Sequence, residues 1–266
     1  MASRIRITVL VSGGGTNLQA IIDACQQSRI DGEIVCVGSD NPRALGLKRA
    51  RAHDIPTILA DYAALMARYQ ALPPEEAWPR DLEIEDLIAK QSLWPTDMDR
   101  SRLVHLLVIR AMAEAALLEA IRPYGPDLIV LAGFMRMLSP YFIDHVNTAA
   151  GKPCIMNIHP ALLPAFPGVD GYGDTFRYGC KMGGCTVHFV DYGEDSGPII
   201  GQKAYVIEPE DTLESIKAKG LQLEWELYPE CIQLFAQDRL LPVKMTHTLP
   251  NGQISQRTVV KIVQTE

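Results

Sequence analysis

An amide and an imidazole stand two residues apart in the segment NIHPALLPAFPG, at Asn157 and His159. Successive side chains of an extended segment point to opposite sides, so residues two apart share one side. An amide and an imidazole that face one crevice can hold the developing oxyanion of a tetrahedral intermediate, and the imidazole can also transfer protons. The pair suits acyl or formyl transfer, although an asparagine that caps a turn and a histidine in a polar niche would show the same pattern.

A carboxylate follows in DYGEDSGPII, where Asp195 lies in a glycine-bounded loop after the apolar segment CTVHFV. A carboxylate in this place can raise the basicity of a nearby histidine or relay protons through water. An isolated aspartate in such a loop is also an ordinary turn residue. No glycine elbow in the sequence presents a serine, and no cysteine stands in a comparable loop, so direct transfer is favoured over a covalent enzyme intermediate.

A glycine loop, SGGGTN at residues 12–17, lies between an apolar run and a helical pattern. Glycines let backbone N–H groups turn toward a ligand, and a helix N-terminus favours anions, so we expect a phosphate site here. The loop lacks the spacing of dinucleotide and Walker motifs, and no Lys-Ser/Thr pair follows the glycines. A tight turn with Thr16 or Asn17 as the helix cap is the alternative interpretation.

The elements that must position these groups alternate between apolar strands and helices. Strand patterns occupy residues 7–11 and 34–37, a short stretch near Ile58, and the segments PDLIVLAG, CIMNI, CTVHFV and PIIGQKAYVI. Helical patterns occupy LQAIIDAC and residues 112–121. This alternation predicts an α/β fold with an open, mostly parallel twisted sheet and helices on both faces. Ligand-binding residues are then expected at the carboxyl ends of the strands.

A long amphipathic helix and a β-hairpin are predicted toward the end of the sequence. The helix covers LESIKAKGLQLEWELYPECIQLFAQ, and its apolar face is expected to contain Leu221, Trp225, Tyr228, Cys231 and Leu234. The hairpin is expected at about residues 243–263, because polar and apolar residues alternate on both sides of Asn251-Gly252. We interpret this hairpin as structural rather than catalytic.

The length of 266 residues suits a single domain over residues 1–266. One stretch, at about residues 61–101, does not fit the alternation and contains prolines at positions 73, 74, 79 and 95. It is too long for an ordinary connection, so we interpret it as a partly helical insert. The sequence leaves open whether this insert is a lid, an oligomer contact or a mobile surface element.

Composition restricts the classes of partner. A formal net charge of −7 without a basic run argues against nucleic acid, and no apolar run approaches the roughly 20 residues that cross a bilayer. The start MASRIRITVL shows no cleavable apolar segment, so we expect a cytoplasmic protein. Cys180 and Cys185 are the only close cysteine pair, and the spacing of nearby histidines does not suit a zinc site, so we expect no metal. The oligomeric state stays open, and a homodimer is compatible with the sequence.

Five segments in order, SGGGTNLQAIIDA, LAGFMRMLSP, NIHPALLPAFPG, TVHFVDYGEDSGPII and ELYP, resemble the phosphoribosylglycinamide formyltransferase family. The similarity spans nearly the whole chain outside residues 61–101 and the last twenty or so. It implies a Rossmann-like formyltransferase fold and transfer of a formyl group from the co-substrate 10-formyltetrahydrofolate to the amine of glycinamide ribonucleotide in purine biosynthesis. The implied partners are these small molecules.

The resemblance also implies roles by position. Asn157, His159 and Asp195 would form a catalytic trio, with the amide and the protonated imidazole stabilising the oxyanion and the carboxylate assisting proton transfer. Gly15, Thr16 and Asn17 would hold the substrate phosphate. The folate cleft would be lined by Met135, Arg136, Leu138 and Val190, with the loop up to Asp195. Glu224 would meet the glycinamide end, and Arg110, sixteen residues before Pro126, would reach the substrate.

The sequence departs from the family after PAFPG, where Asp170 and Tyr172 stand in place of expected histidines. A changed acceptor is therefore one alternative, such as a nucleotide sugar or an initiator aminoacyl-tRNA, although the acidic balance argues against tRNA. A formyltetrahydrofolate hydrolase is a second alternative; it would normally carry an extra N-terminal regulatory domain, and we expect none here. A non-catalytic folate- or phosphate-binding protein is the third, and the complete set of amide, imidazole and carboxylate argues against it.

Overall fold

Seven strands form one central sheet in the order β3-β2-β1-β4-β5-β6-β7 in the computed structural model, which describes residues 4–70, 78–149 and 152–264. The five strands from β3 to β5 are mutually parallel, whereas β6 runs antiparallel to both β5 and β7. The predicted open, mostly parallel sheet is confirmed. The strands are β1 (Ile5–Val11), β2 (Gly32–Ser39), β3 (Thr57–Leu59), β4 (Leu128–Leu131), β5 (Ile155–His159), β6 (Met182–Phe189) and β7 (Ile199–Val206).

Helices lie on both faces of this sheet, as the alternation predicted. In the described residues they are α1 (Thr16–Gln26), α2 (Leu45–Ala52), α3 (Tyr62–Gln70), α4 (Ile84–Lys90), α5 (Arg100–Ile121), α6 (Pro140–Val146), α7 (Gly171–Arg177) and α8 (Leu213–Ala236). Helix α5 begins twelve residues before the predicted start at position 112. The reason is a local cap, because the side chain of Asp99 accepts a hydrogen bond from the backbone N–H of Arg102 and starts the helix there.

The sheet separates two apolar layers because successive side chains of each strand point to opposite faces. Val9 of β1 packs with α1, α2 and α8, whereas its neighbour Leu10 packs with α5 and α6. The single O–H of Tyr228 on α8 is shared between the backbone carbonyls of Leu131 at 2.9 Å and Met156 at 3.0 Å. These contacts fix α8 against β4 and β5, next to Asn157.

The buried face of α8 differs from the predicted one. Trp225, expected on the apolar face, is 37% exposed, whereas the adjacent Glu224 is only 5% exposed. The stripe that faces the protein contains Ile216, Gly220, Glu224, Leu227, Tyr228 and Cys231. The prediction was wrong at this point because it assumed that a buried face is apolar throughout, and α8 buries a carboxylate.

The chain reverses direction across the sheet between β1 and β4. From β1 it moves outward to β2 and β3, and it then returns to add β4 and β5 on the other side of β1. At this point the backbone N–H of Ser12 donates to the carbonyl of Gly133 at 3.0 Å. Open α/β sheets bind ligands in the crevice at such a reversal, outside the carboxyl ends of the strands.

The predicted C-terminal hairpin is confirmed as β8 (Leu240–Thr248) and β9 (Ile254–Ile262), which begin three residues before the predicted boundary. The turn is longer than Asn251-Gly252 alone, because Thr248 pairs with Ile254 and five residues lie between them. Gly252 has a φ of 81°, and the backbone N–H of Gln253 donates to the side-chain oxygen of Asn251 at 3.0 Å. The Asn-Gly pair therefore closes the end of a wider loop.

The stretch at residues 61–101 contains α3 and α4, with residues 71–77 outside the described ranges. Its later part packs on α6: Lys90 forms an ion pair with Asp144 at 2.9 Å, and Asp81 contacts the ring of His145 at 2.9 Å. The hydroxyl of Ser92 donates to the backbone carbonyl of Tyr192, in the loop between β6 and β7. The stretch thus joins α6 to a loop at the carboxyl edge of the sheet.

None of the helices in the described ranges has the length and apolar composition needed to cross a lipid bilayer.

We expect Gly15→Ala to lower the free energy of unfolding by about 1–3 kcal/mol, because Gly15 has a left-handed φ of 70° that costs a non-glycine residue roughly that amount. A Cβ at this position would also lie 2.6 Å from the Cα of Gly46. Urea unfolding of purified protein measures the change. Gly14→Ala is the matched control, since a Cβ there would meet nothing within 4 Å and the φ of Gly14 is not positive. Equal stability of the two variants would contradict the prediction.

Candidate active site

Asn157, His159 and Asp195 meet at the carboxyl edge of the sheet. Asn157 and His159 are the third and last residues of β5, so both side chains leave the same face of that strand. Asp195 comes from the loop between β6 and β7 and has a φ of 48°. Its Oδ2 lies 3.1 Å from Nδ1 of His159, and its Oδ1 accepts a hydrogen bond from the amide of Asn157 at 3.4 Å. The structure therefore brings the predicted amide, imidazole and carboxylate into direct contact.

The surroundings of His159 require a proton on each ring nitrogen. Nδ1 faces the Asp195 carboxylate, and Nε2 lies 2.7 Å from the backbone carbonyl oxygen of Phe166. A carbonyl oxygen can only accept, and an ionised carboxylate can only accept, so both nitrogens donate. The side chain of His159 is 3% exposed. The site thus contains a buried imidazolium–carboxylate pair.

The protonation states follow from burial and from these contacts. Burial lowers the pKa of His159, but the hydrogen bond to Asp195 and its charge more than offset this effect, so the pKa is raised above its usual value. Burial would raise the pKa of Asp195, but hydrogen bonds from His159, from His188 and from the backbone N–H of Gly168 lower it well below the usual range. Both shifts favour the charged forms of the pair.

His188 is a member of this cluster that the sequence analysis did not select. It pairs with Asn157 across the antiparallel β5–β6 ladder, and its Nε2 lies 3.3 Å from the Asn157 amide nitrogen and 3.5 Å from Oδ1 of Asp195. Its Nδ1 lies 2.9 Å from the backbone carbonyl of Phe189. The segment CTVHFV contained the signal, a histidine in an otherwise apolar buried strand, but its position opposite Asn157 depends on strand register.

A cavity of about 330 Å³ opens beside the trio. Met135, Arg136, Leu138 and Val190, the residues predicted for a folate cleft, all line it, together with Leu131 and Phe134. Leu138 and Phe134 are buried, whereas Met135 is exposed at the rim. Asn157, His159 and Asp195 belong to the wall of the same cavity. An apolar wall with a few convergent polar groups is the usual character of a small-molecule site.

A hydrogen-bonded chain connects the glycine loop to the segment that carries Arg136. Ser12 Oγ donates to Asp40 Oδ1 at 2.6 Å and accepts from the backbone N–H of Met135 at 2.9 Å. The other oxygen of Asp40 accepts from Nε of Arg136 at 2.8 Å. The Arg136 guanidinium also lies 4.9 Å from the ring centroid of Tyr62, within the range of a cation–π contact. Asp40 therefore orients Arg136 at the edge of the cavity.

The glycine loop presents a helix N-terminus that no N-cap side chain covers. Gly15 is the N-cap residue of α1 and supplies no side-chain hydrogen bond, so the first-turn N–H groups of α1 are free of such a cap. Thr16 is partly exposed at the start of this helix, whereas Asn17 is buried and its amide turns away to donate to Oε2 of Glu224 at 2.6 Å. The loop has the electrostatic character of an anion site.

Glu224 lines the cavity and is held by two neighbours. Its Oε2 accepts from Asn17 and its Oε1 accepts from the hydroxyl of Tyr172 on α7. Burial raises the pKa of Glu224, and these two hydrogen bonds oppose that rise without cancelling it. Asp170, like Tyr172, stands where a histidine was expected. It is the N-cap of α7 and forms an ion pair with Arg177 at 2.9 Å.

Arg110 lies behind the Met135–Leu138 segment rather than in the cavity wall. Its guanidinium donates to the backbone carbonyl of Met137 at 3.0 Å and lies 6.0 Å from the ring centroids of Tyr62 and Trp94. The described residues that line the cavity do not include Arg110. In this structure Arg110 supports the Met135–Leu138 segment from behind.

Within residues 4–70, 78–149 and 152–264, no group of three or more His, Cys, Asp or Glu side chains has a geometry that could hold a metal ion.

Comparison with known proteins agrees with this geometry. The family model described as "Formyl transferase" matches residues 5–232. The phosphoribosylglycinamide formyltransferase of Escherichia coli K12 is 35% identical over 236 residues, which cover 89% of this chain and 89% of the relative. The enzyme of the same name from Haemophilus influenzae is 34% identical over 235 residues, covering 88% and 89%.

A solved structure is similar over almost the full length. The crystal structure of glycinamide ribonucleotide transformylase 1 from Symbiobacterium toebii aligns with a TM-score of 0.70 at 34% identity, covering 99% of this chain and 96% of that chain. The match confirms the Rossmann-like sheet. From the site, the matched residues and these relatives, we conclude that this chain belongs to the formyl transferase family.

Proposed function

We propose that this protein transfers the formyl group of 10-formyltetrahydrofolate to the amine of 5′-phosphoribosylglycinamide, a step of de novo purine biosynthesis in the cytoplasm. The observation that carries the proposal is the contact among Asn157, His159 and Asp195 in the wall of one cavity. The sequence relatives named phosphoribosylglycinamide formyltransferase support this choice of acceptor.

The cavity has the chemical character that a reduced folate requires. Leu131, Leu138 and Val190 provide an apolar wall for a planar ring system, and Arg136 provides a cation at the edge. The folate would supply a formyl carbon that is open to attack by an amine. The chain's residues would bind this carbonyl group beside Asn157.

Asn157 is proposed to stabilise the negative charge that develops on the formyl oxygen. Its amide nitrogen donates a weak hydrogen bond to Asp195 at 3.4 Å and lies 3.3 Å from Nε2 of His188 at the cavity wall. A donor held in weak contacts can turn to a stronger acceptor when charge develops there. The antiparallel β5–β6 ladder keeps this donor in place, because Asn157 and His188 are directly paired.

His159 and Asp195 are proposed to supply positive charge and proton transfer. The imidazolium of His159 lies in the cavity wall, and its field stabilises an oxyanion nearby. In this structure the N–H at Nε2 donates to the carbonyl of Phe166. A direct hydrogen bond from Nε2 to the oxyanion requires this bond to Phe166 to break. Asp195 contacts the imidazole and can relay the proton that the attacking amine loses, directly or through water. The proton would end on the folate nitrogen, which leaves as its bond to the formyl carbon breaks.

The acceptor is proposed to lie between the glycine loop and Glu224. The first turn of α1 after Gly15 would bind the phosphate through backbone N–H groups of residues such as Thr16 and Asn17. Glu224, connected to α1 through Asn17, would accept hydrogen bonds from the N–H groups of the glycinamide end. The amine would then face the formyl carbon beside the trio.

We expect purified protein to deformylate 10-formyltetrahydrofolate rapidly only when glycinamide ribonucleotide is present. The acceptor is needed because its amine is the nucleophile in the proposed reaction. Absorbance of the folate product follows the reaction, and mass spectrometry of the ribonucleotide identifies the formylated product. Turnover that is equally fast without the acceptor would indicate a hydrolase and would contradict the proposed transferase.

We expect His159→Ala and Asp195→Asn each to lower kcat by about 10² or more, because each removes a group proposed to act on charge or protons in the transition state. Asp191→Asn is the matched control. Asp191 lies in the same loop and accepts hydrogen bonds from Gly193 and Ser196, which an asparagine oxygen can also accept. Circular dichroism verifies that all three variants are folded. A kcat like that of the wild type in either catalytic variant would refute its role.

We expect the alkaline limb of the kcat profile to lie above pH 6.5, since the pKa of His159 is raised from that ordinary value and the proposed reaction uses its protonated form. Activity should be full below this pKa and decline as the pH rises through it. In Asp195→Asn the alkaline limb of the residual activity should lie at lower pH than in the wild type, because the carboxylate that raises the pKa of His159 is gone. An alkaline limb at the same pH in both proteins would show that it belongs to another group.

A further inference from the structure

Tyr172 connects α7 to the buried carboxylate of α8. It is the second residue of α7, its side chain is 8% exposed, and its hydroxyl donates to Oε1 of Glu224. The other oxygen of Glu224 accepts from Asn17 at 2.6 Å. Both oxygens of the carboxylate are therefore held by donors from separate helices, α7 and α1, and its orientation is restricted.

The ring of Tyr172 has space only because α8 has no side chain at Gly220. A Cβ added at Gly220 would overlap Cε1, Cζ and the hydroxyl oxygen of the Tyr172 ring. Gly220 precedes Glu224 by four residues, so the two lie one above the other on the same face of α8. The glycine thus provides the room in which a tyrosine reaches the carboxylate.

We propose that Tyr172 is a positioning residue for the formyl acceptor: its hydroxyl holds Glu224 in the orientation that receives the amine end, and Gly220 accommodates its ring. This inference rests on the proposed function, which assigns that end of the acceptor to Glu224. Tyr172 stands where the family resemblance predicts a histidine, so the donor to the glutamate is here a phenol.

A phenol holds the carboxylate differently from an imidazole. Burial, with the charge of Glu224, raises the pKa of Tyr172 far above neutrality, so its hydroxyl donates at every physiological pH. A histidine in this place would change its charge near neutral pH. The Tyr172 bond also lowers the pKa of Glu224 against the effect of burial. Without that donor the carboxyl group takes up a proton at higher pH and loses strength as an acceptor.

The titratable groups that surround Glu224 come from five strands and helices: His159 on β5, Tyr172 on α7, Cys185 on β6, Tyr205 on β7 and Tyr228 on α8. Burial raises the pKa of Cys185 and of Tyr205 to about 12 and raises that of Tyr228 well above its usual value. In this set, His159 and Glu224 are therefore the two groups whose titrations the test has to separate. The two are separable because His159 is proposed to act on kcat and Glu224 on acceptor binding.

The test is Tyr172→Phe, which removes the hydroxyl and keeps the ring. We expect the KM for glycinamide ribonucleotide to rise about tenfold or more, since a hydrogen bond to a charged group is lost, while the KM for 10-formyltetrahydrofolate changes less than about twofold. The acid limb in the pH profile of kcat/KM for glycinamide ribonucleotide should also move to higher pH. A loss of packing alone would not move this limb.

Tyr205→Phe is the matched control. The hydroxyl of Tyr205 is buried near the same glutamate, and it has no hydrogen-bond partner among the described residues. Its removal should leave the acceptor KM and the acid limb as in the wild type. If Tyr172→Phe does not fold, Gly220→Ala provides the second variant, because the added Cβ displaces the Tyr172 ring and should raise the acceptor KM in the same way.

The outcomes separate this inference from the proposed function. Wild-type protein that formylates the ribonucleotide, together with a Tyr172→Phe variant of unchanged acceptor KM and acid limb, overturns the role of Tyr172 alone. Wild-type protein that transfers no formyl group to this amine overturns both. A raised acceptor KM with a shifted acid limb in Tyr172→Phe, and neither change in Tyr205→Phe, supports the inference.

Discussion

The buried ion pair between His159 and Asp195 is the interaction on which the candidate active site depends. Removing two charges from water is costly, and their attraction repays that cost only when the remaining hydrogen-bonding capacity is also satisfied. Here the backbone N–H of Gly168 donates to Asp195 at 2.8 Å, and the carbonyl of Phe166 accepts from His159. The loop between β5 and α7 and the loop between β6 and β7 are thus joined at the pair, and the contacts from Gly168 and Phe166 favour its charged form.

Burial and hydrogen bonding also set the pKa of the second buried carboxylate, Glu224, but with the opposite result. Its donors are an amide and a phenol rather than a cation, so burial still dominates and its pKa is raised, whereas that of Asp195 is lowered. One wall of the cavity therefore has a carboxylate whose pKa is lowered, and another has a carboxylate whose pKa is raised. Two carboxylates with different surroundings can serve different purposes, proton transfer in one case and acceptor binding in the other.

Hydrogen bonds between loops bring the two halves of the site together. Ser12 and Asp40 join the glycine loop to Arg136, and the buried Glu114 accepts from the backbone N–H of Ser139 at 2.9 Å, at the end of the same segment. Arg110 supports the carbonyl of Met137 in that segment. The residues predicted for a folate cleft and those predicted for a phosphate site are thus parts of one polar framework over the carboxyl edge of the sheet.

Sequence alone determined the α/β alternation, the glycine loop, the hairpin and the Asn157–His159 pair, because each depends on periodicity or spacing within a few residues. Tertiary structure alone decided which distant groups meet. His188 opposes Asn157 through strand register, Arg110 turns to a backbone carbonyl, and α8 buries Glu224 while Trp225 is partly exposed. The physical reason is that a buried polar residue is placed by partners from other elements: Tyr172 precedes Glu224 by 52 residues, and only packing across Gly220 lets them form a bond.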